Sequence, residues 1–221
     1  MALRHAVLAA LLDGEASGYQ LAKIFDVSVS NFWHSVPQQL YAELTKLETD
    51  GLIAGREVVQ ERRPNKRVFT LTDAGRAELA GFMARSSKPS FIRDDLLVKV
   101  HAAEAGDTQT LAEQLEERGV QARGKIALFD QLLLRLRGTA EEQAFLAESP
   151  RIGPYLTCLR GRAFEQENLT WCTWAAQVLR ARVAGRPVPP PPISRSHPAG
   201  PVTPQHRTGD LRTQEQRKVN P

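Results

Sequence analysis

Cysteine is scarce in this 221-residue chain, with Cys158 and Cys172 the only two. They stand fourteen residues apart in a stretch that reads as one helix, which separates them by about 21 Å along its axis. That spacing excludes an intrachain disulfide. No CxxC pair and no Cys/His cluster suggests zinc, so two small buried hydrophobes are expected in place of a redox centre. Long apolar runs are missing as well: nothing approaches the roughly 18 residues of a membrane span. The opening Met1-Ala2-Leu3-Arg4-His5 lacks the layout of a signal peptide. A cytoplasmic protein with no membrane partner is expected. There is no Gly-rich phosphate loop, no nucleophile elbow and no metal-spaced His/Asp/Glu cluster. The histidines (His5, His34, His101, His197 and His206) are scattered. These absences weigh against an enzyme and against any cofactor.

An excess of positive charge is present overall, at +4, but not where it would help most. Residues 186–221 hold six Lys/Arg against two Asp/Glu, and the remaining 185 residues hold 23 of each sign. Any case for nucleic-acid binding must therefore rest on local arrangement rather than on net charge.

The chain divides into three regions. Residues 1–87 mix helical periodicity with a hairpin pattern, residues 90–185 read as helices only, and residues 186–221 are Pro-rich with few large apolar groups. The last region cannot bury enough surface to offset its ordering entropy and is expected to be a disordered tail. Ser86-Ser87-Lys88-Pro89 marks the joint between the first two.

In the first region, Leu3, Val7, Leu8, Leu11 and Leu12 follow helical spacing up to Asp13-Gly14. A short helix from about Gly18 to Asp26 carries Leu21, Ile24 and Phe25 inward, and Val27 to His34 reads as a turn. A third helix from Val36 to Asp50 buries Leu40, Leu44 and Leu47 and stops at Gly51. Then Leu52-Ile53-Ala54 with Val58-Val59, and Val68 to Thr72, read as two strands around a charged loop, with Phe69 and Leu71 on one face. Pro64-Asn65 suits the hairpin tip. Thr72-Asp73 can cap a fourth helix that carries Ala74, Leu79, Phe82 and Met83. This order of helix, helix, turn, helix, hairpin, helix is that of a winged helix-turn-helix.

The third helix has an outward face of Gln38, Gln39, Ala42, Thr45, Lys46 and Thr49. Gln can pair with adenine, and Ala or Thr can touch a thymine methyl, in the major groove. Ser28, Ser30, Asn31 and Ser35 precede it and can donate to phosphates. Tyr41 is either a core aromatic or a phosphate contact. Arg62, Arg63, Lys66 and Arg67 place four cations within six residues of the hairpin. A polar outer face or a cationic loop alone is ordinary; their joint occurrence in the order of one docking geometry is not.

Gly18-Tyr19-Gln20-Leu21, Phe32-Trp33, Gln38 to Leu44, Leu47-Glu48, Asp50-Gly51-Leu52-Ile53 and Phe69 to Gly75 resemble the PadR family of transcriptional regulators. The region after Lys88 resembles the helical C-terminal domain of its longer, Vir-type members. The resemblance implies a winged-helix repressor that dimerises through its C-terminal helices. It also implies a recognition helix over Val36 to Asp50. It further implies DNA contacts at Gln38, Gln39, Tyr41 and Lys46, with Arg63, Lys66 and Arg67 at the wing. Where the family often has a capping Ser or Thr, this chain has Val36-Pro37, so Ser35 is a candidate cap with Pro37 in the first turn.

In the second region a short helix spans Asp94 to Glu104 with Leu96, Leu97 and Val100, and a long one, capped by Asp107 or Thr108, runs to about Arg137. Its apolar seam is Leu111, Leu115, Ala122, Ile126, Phe129, Leu133 and Leu136, with Arg118 filling one position. A last helix runs from Gly153 to Ala184, with Phe164, Trp171 and Val178 every seven residues and Trp174 between them. Seams this long call for a partner subunit, and a two-fold homodimer is the commonest answer. The fold class expected is mainly α: a winged helix-turn-helix followed by a coiled-coil-like dimerisation domain. The partners expected are double-stranded DNA carrying a palindromic operator and a second copy. Phe164, Trp171 and Trp174 are read first as dimer-interface core, and the alternative is a cleft in which they stack on an aromatic small-molecule effector. A winged helix that only docks proteins is the alternative for the whole chain.

Overall fold

The computed structural model describes residues 2–25, 36–59, 65–87, 89 and 92–192. The chain divides into a unit spanning Met1–Pro189 and a second spanning Pro190–Pro221. Among the described residues no helix is long and apolar enough to cross a membrane. The turn expected over residues 27–34, Ser35, the loop cations Arg62 and Arg63, and the tail beyond Pro192 lie outside the described residues.

Helix α1 (Ala2–Ala10) buries Val7 and Leu8 and tightens into a 3₁₀ turn, Leu11–Asp13, that buries Leu11. Leu12, expected inward, is exposed, because that tighter turn rotates it off the helical stripe. Gly14 follows at φ 123°, a conformation that favours glycine. The chain then forms an unforeseen strand, β1 (Ala16–Ser17), leading into α2 (Gly18–Ile24). Ser17 and Gln20 form a capping box: the Gln20 amide donates to Ser17 Oγ (3.3 Å) and the Ser17 amide donates to Gln20 Oε1 (2.8 Å).

Helix α3 (Pro37–Thr49) sends Leu40, Leu44 and Leu47 into the core at no more than 1% exposure, as their spacing requires. Gly51 takes φ +71° and ends it. Strands β2 (Ile53–Val58) and β3 (Lys66–Leu71) pair antiparallel, and β1 joins on the far side of β3, giving the order β1-β3-β2. Val68 is buried as well as Phe69, although strict alternation would expose it; its cross-strand partners Ser17 and Arg56 flank it on both sides. The Thr72 hydroxyl caps α4 (Asp73–Met83) by accepting from the Gly75 amide (3.0 Å) while donating to the Gly51 carbonyl (2.8 Å). Gly75 and Leu79 face inward on α4; Ala74 and Met83, expected there, are exposed. Phe82 is half-exposed and stacks on the buried ring of His5 at 3.9 Å.

In the second half, α5 (Asp95–His101) is shorter than expected and passes into a 3₁₀ turn, Ala103–Ala105. Leu97 is exposed and Leu96 alone is buried on α5. Asp107 caps α6 (Thr108–Arg137), accepting from the amides of Gln109 and Thr110. A short helix, α7 (Glu142–Glu148), was not foreseen, and α8 (Gly153–Val183) returns along α6. The α6 seam from Leu111 to Leu133 is buried, with Leu136 exposed near the helix end. Its partner is not a second chain but α8, through Tyr155, Cys158, Cys172 and Ala176. The argument that this seam demands a partner subunit is therefore corrected: a neighbouring helix of the same chain covers it. Arg118, the polar interruption, instead holds Asp94, the cap of α5, at 3.1 and 3.3 Å. Glu165, buried in the α6–α8 contact, is satisfied by Lys125 Nζ (2.7 Å) and Asn168 Nδ2 (3.2 Å). Cys158 and Cys172 are both free and buried, and burial is the main cause that pushes both thiols up.

Candidate nucleic-acid interface

Helix α3 presents its polar side outward. Gln38, Gln39, Tyr41, Ala42, Thr45, Lys46 and Thr49 are all exposed, on the side opposite Leu40, Leu44 and Leu47. The helix is capped by the backbone at Val36, with no side-chain cap and with Pro37 in its first turn. The N-cap position thus falls one residue after Ser35. Pro at this point costs no hydrogen bond, since the amide it removes has no intrahelical acceptor. Gln38 and Gln39 consequently stand in the first turn, at the positive end of the helix dipole.

Tyr41 is half-exposed, and its ring lies against Gly18 so closely that a Cβ there would sit 2.5 Å from its Cε1. One edge of the ring therefore packs on the start of α2 and the other faces solvent. Thr45 and Thr49 donate their hydroxyls to the carbonyls of Tyr41 (3.2 Å) and Thr45 (3.0 Å).

Three carboxylates, Glu43 and Glu48 on α3 and Asp50 at its C-terminal cap, reach other elements. Arg4 of α1 pairs with Asp50 and lies 3.9 Å from Glu43, which fixes the end of α3 against α1. Glu48 reaches the sheet, where its Oε1 accepts from the Gly55 amide of β2 (3.0 Å) and from Arg67 Nη2 of β3 (2.7 Å). The Arg67 guanidinium also lies 5.9 Å from the Phe69 ring centroid. Of the wing cations in the described residues, Lys66 stands at the open end of the β2–β3 ladder opposite Val58, and Arg67 is tied to α3. Glu48 and Gly55 were missed by sequence reasoning. A signal existed for the glycine: an isolated Gly inside a strand pattern marks a close approach. A Cβ there would collide with the Glu48 carboxylate and stand 2.7 Å from Arg67 Nε.

The aromatic stripe on α8 is not one surface. Trp171 and Trp174 pack, half-buried, on the cluster of Leu111, Leu115, Cys172 and Ala176, and Trp174 Nε1 donates to the Pro189 carbonyl at 3.1 Å. Phe164 lies apart from that cluster, with the Arg160 guanidinium 5.5 Å from its ring centroid.

Two family models match the chain: the transcriptional regulator PadR-like family over residues 7–81 and the virulence activator alpha C-terminal domain over residues 92–180. A probable transcriptional regulator of Mycobacterium tuberculosis is 31% identical over 192 residues, covering 82% of this chain and 100% of the relative. The negative transcriptional regulator PadR of Bacillus subtilis is 28% identical over 170 residues, covering 76% of this chain and 92% of the relative. The crystal structure of that protein with operator DNA matches at a TM-score of 0.66 and 27% identity, over 77% of this chain and 95% of the other. Its structure with p-coumaric acid matches at 0.61 and 26%, over 80% and 95%. The two matched regions lie on the winged-helix part and the helical part of the chain in turn, and the chain belongs to the PadR-like family of DNA-binding transcriptional regulators.

Proposed function

We propose that this chain is a cytoplasmic, homodimeric repressor that reads a palindromic operator and is released by a small-molecule effector. The observation that carries the reading is the exposed row Gln38, Gln39, Tyr41, Ala42, Thr45 and Lys46 on a helix whose opposite face is locked in a closed core. Such a helix fits the major groove, with its amino-terminal glutamines toward base edges and Lys46 toward the backbone. Lys66, with Arg62 and Arg63 nearby in sequence, would add phosphate contacts, as would Ser35 just before α3. Residues 1–87 bind DNA, residues 90–185 dimerise, and residues 186–221 are a solubilising tail. The protein acts by binding, without a catalytic step or a cofactor.

Support for the dimer comes from the back of α6. Val120, Ala127 and Leu134, seven residues apart, form an exposed apolar row outside the face that α8 covers. A second copy would cover that row, and a two-fold pair would set half-sites about 34 Å, or a multiple of it, apart. Negative regulation and an aromatic acid effector are suggested by the Bacillus subtilis relative, which is described as a negative regulator and was solved with operator DNA and with p-coumaric acid. The half-buried Trp171 and Trp174, with Phe164 beyond them, remain the aromatic groups on which such an effector could stack.

The test is binding of the full chain to duplex DNA from upstream of its own gene and its neighbours, against scrambled competitor at several salt concentrations. Preference for one upstream fragment, weakened by Gln39→Ala, is expected. Equal affinity for both DNAs would remove the reading.

A further inference from the structure

We propose that Glu48 is a positioning residue that holds Arg67 against the recognition helix and withholds that cation from the DNA backbone. The effect is lower non-specific affinity and a stronger preference for the operator. This rests on the reading above, in which α3 and the wing face DNA.

The register of β3 is the first support. Arg67, Phe69 and Leu71 share one face of the strand, because side chains alternate, and Phe69 belongs to the core beneath α3. Arg67 therefore points toward α3, whereas Lys66 points to the opposite face. The second support is the shape of the acceptor. Glu48 Oε1 is fixed by the Gly55 amide at 3.0 Å before it takes Arg67 Nη2 at 2.7 Å, so the carboxylate is not a free rotor on the surface. Its side chain is 26% exposed against 61% for Arg67. The third is the local field: Glu48 lies in the last turn of α3, where the helix dipole favours a cation. The guanidinium also sits above the Phe69 ring, a further attraction for a delocalised cation. Gly55 completes the arrangement, because any side chain there would occupy the place where the carboxylate and guanidinium meet.

The consequence is a wing whose cations differ in role. A cation that meets phosphate adds about 0.9 to the slope of log affinity against log salt, whatever the base sequence. Arg67 paired with Glu48 adds nothing to that slope; it fixes the angle at which the wing leaves the recognition helix. Once released, it would act as one more sequence-blind phosphate contact.

The experiment measures affinity of the full chain for the preferred upstream duplex and for a scrambled duplex across a salt series. Wild type, Arg67→Ala, Glu48→Gln and the double variant are compared, with folding of each checked by circular dichroism. Arg67→Ala is expected to leave the salt slope on scrambled DNA unchanged. Glu48→Gln keeps an acceptor for the Gly55 amide and removes the charge. It is expected to steepen that slope by about 0.9 and to raise scrambled-DNA affinity severalfold, so that the preference for the upstream duplex falls. The double variant should return to the wild-type slope. A wild-type slope that flattens by about one phosphate in Arg67→Ala would overturn the inference while leaving the DNA-binding reading intact. No preference in the wild type for any upstream duplex would defeat the reading itself.

Discussion

The two halves of this chain close their cores to different degrees. In the winged half, Val7, Leu8, Leu21, Leu40, Leu44, Leu47 and Ile53 are almost wholly removed from solvent, and they come from three helices and the sheet. In the helical half the buried residues fall into two smaller clusters, one around Leu115 and Ala176 and one around Phe129 and Tyr155, with many small side chains between the helices. Val98, Val120, Leu134, Leu136 and Leu156 stay exposed there. One half has a closed core and an exposed polar face on α3. The other is a helical pair with an apolar back, the form expected of an element completed by another copy.

The largest effect should come from breaking the finished half. Leu44→Ala removes a side chain at 1% exposure beneath the polar face of α3. A loss of about 2–5 kcal/mol is expected for such a truncation, read by urea denaturation, with operator binding lost in parallel. A loss below about 1 kcal/mol would show that this core is looser than its burial indicates. The corresponding test of the open half is Val120→Glu. It should leave circular dichroism nearly unchanged, since the side chain is 63% exposed, yet weaken the dimer by about tenfold or more, because a two-fold interface would receive the charge twice. Sedimentation across a dilution series measures it; an unaltered dissociation constant would move the interface away from the back of α6.

This contrast also separates what was legible in the sequence from what was not. Leu40, Leu44 and Leu47, the stop at Gly51 and the bounds of α6 and α8 follow from periodicity and termination, which are local. The family resemblance, covering both halves, reached the DNA-binding reading by the same residues. Strand β1 was invisible because two residues carry no period; β3 supplies the hydrogen bonds that define it. The α6 seam was visible, but what covers it was not, since a heptad-like stripe looks the same facing α8 or another chain. The Arg67 pairing was hidden for a similar reason. Charge along a hairpin shows that cations are present, and only the register and the Glu48 carboxylate show which way one of them turns.

A smaller effect is expected at the junction of sheet and helix. The Thr72 hydroxyl caps α4 and ties it to the Gly51 carbonyl, so Thr72→Ala should cost about 1 kcal/mol. Thr72→Ser keeps both hydrogen bonds and should recover most of the loss in a thermal melt. Equal destabilisation by Ala and Ser would mean that the methyl group, not the hydroxyl, holds the joint.

The smallest effect lies at the rim of the finished core, where His5 is buried against Phe82 and its Nε2 meets Glu78 Oε1 at 2.9 Å. The hydrogen bond with His5 is the main cause holding the Glu78 carboxyl below its ordinary value of 4.5. A carboxyl whose value is lower in the folded state than in the unfolded state binds fewer protons when folded. Its contribution is thus fully present above the ordinary value and is lost as pH falls through the depressed one. Winged-half stability should therefore fall in this acid window more steeply in the wild type than in Glu78→Gln, and the two should run parallel at neutral pH, offset by a constant. Water screens the partly exposed carboxylate, which keeps the effect below that of the Thr72 cap. Melting curves at steps through the acid range decide it. A wild type and variant that decline in parallel below pH 4.5 would show that the contact with His5 does not distinguish the charged from the neutral carboxyl.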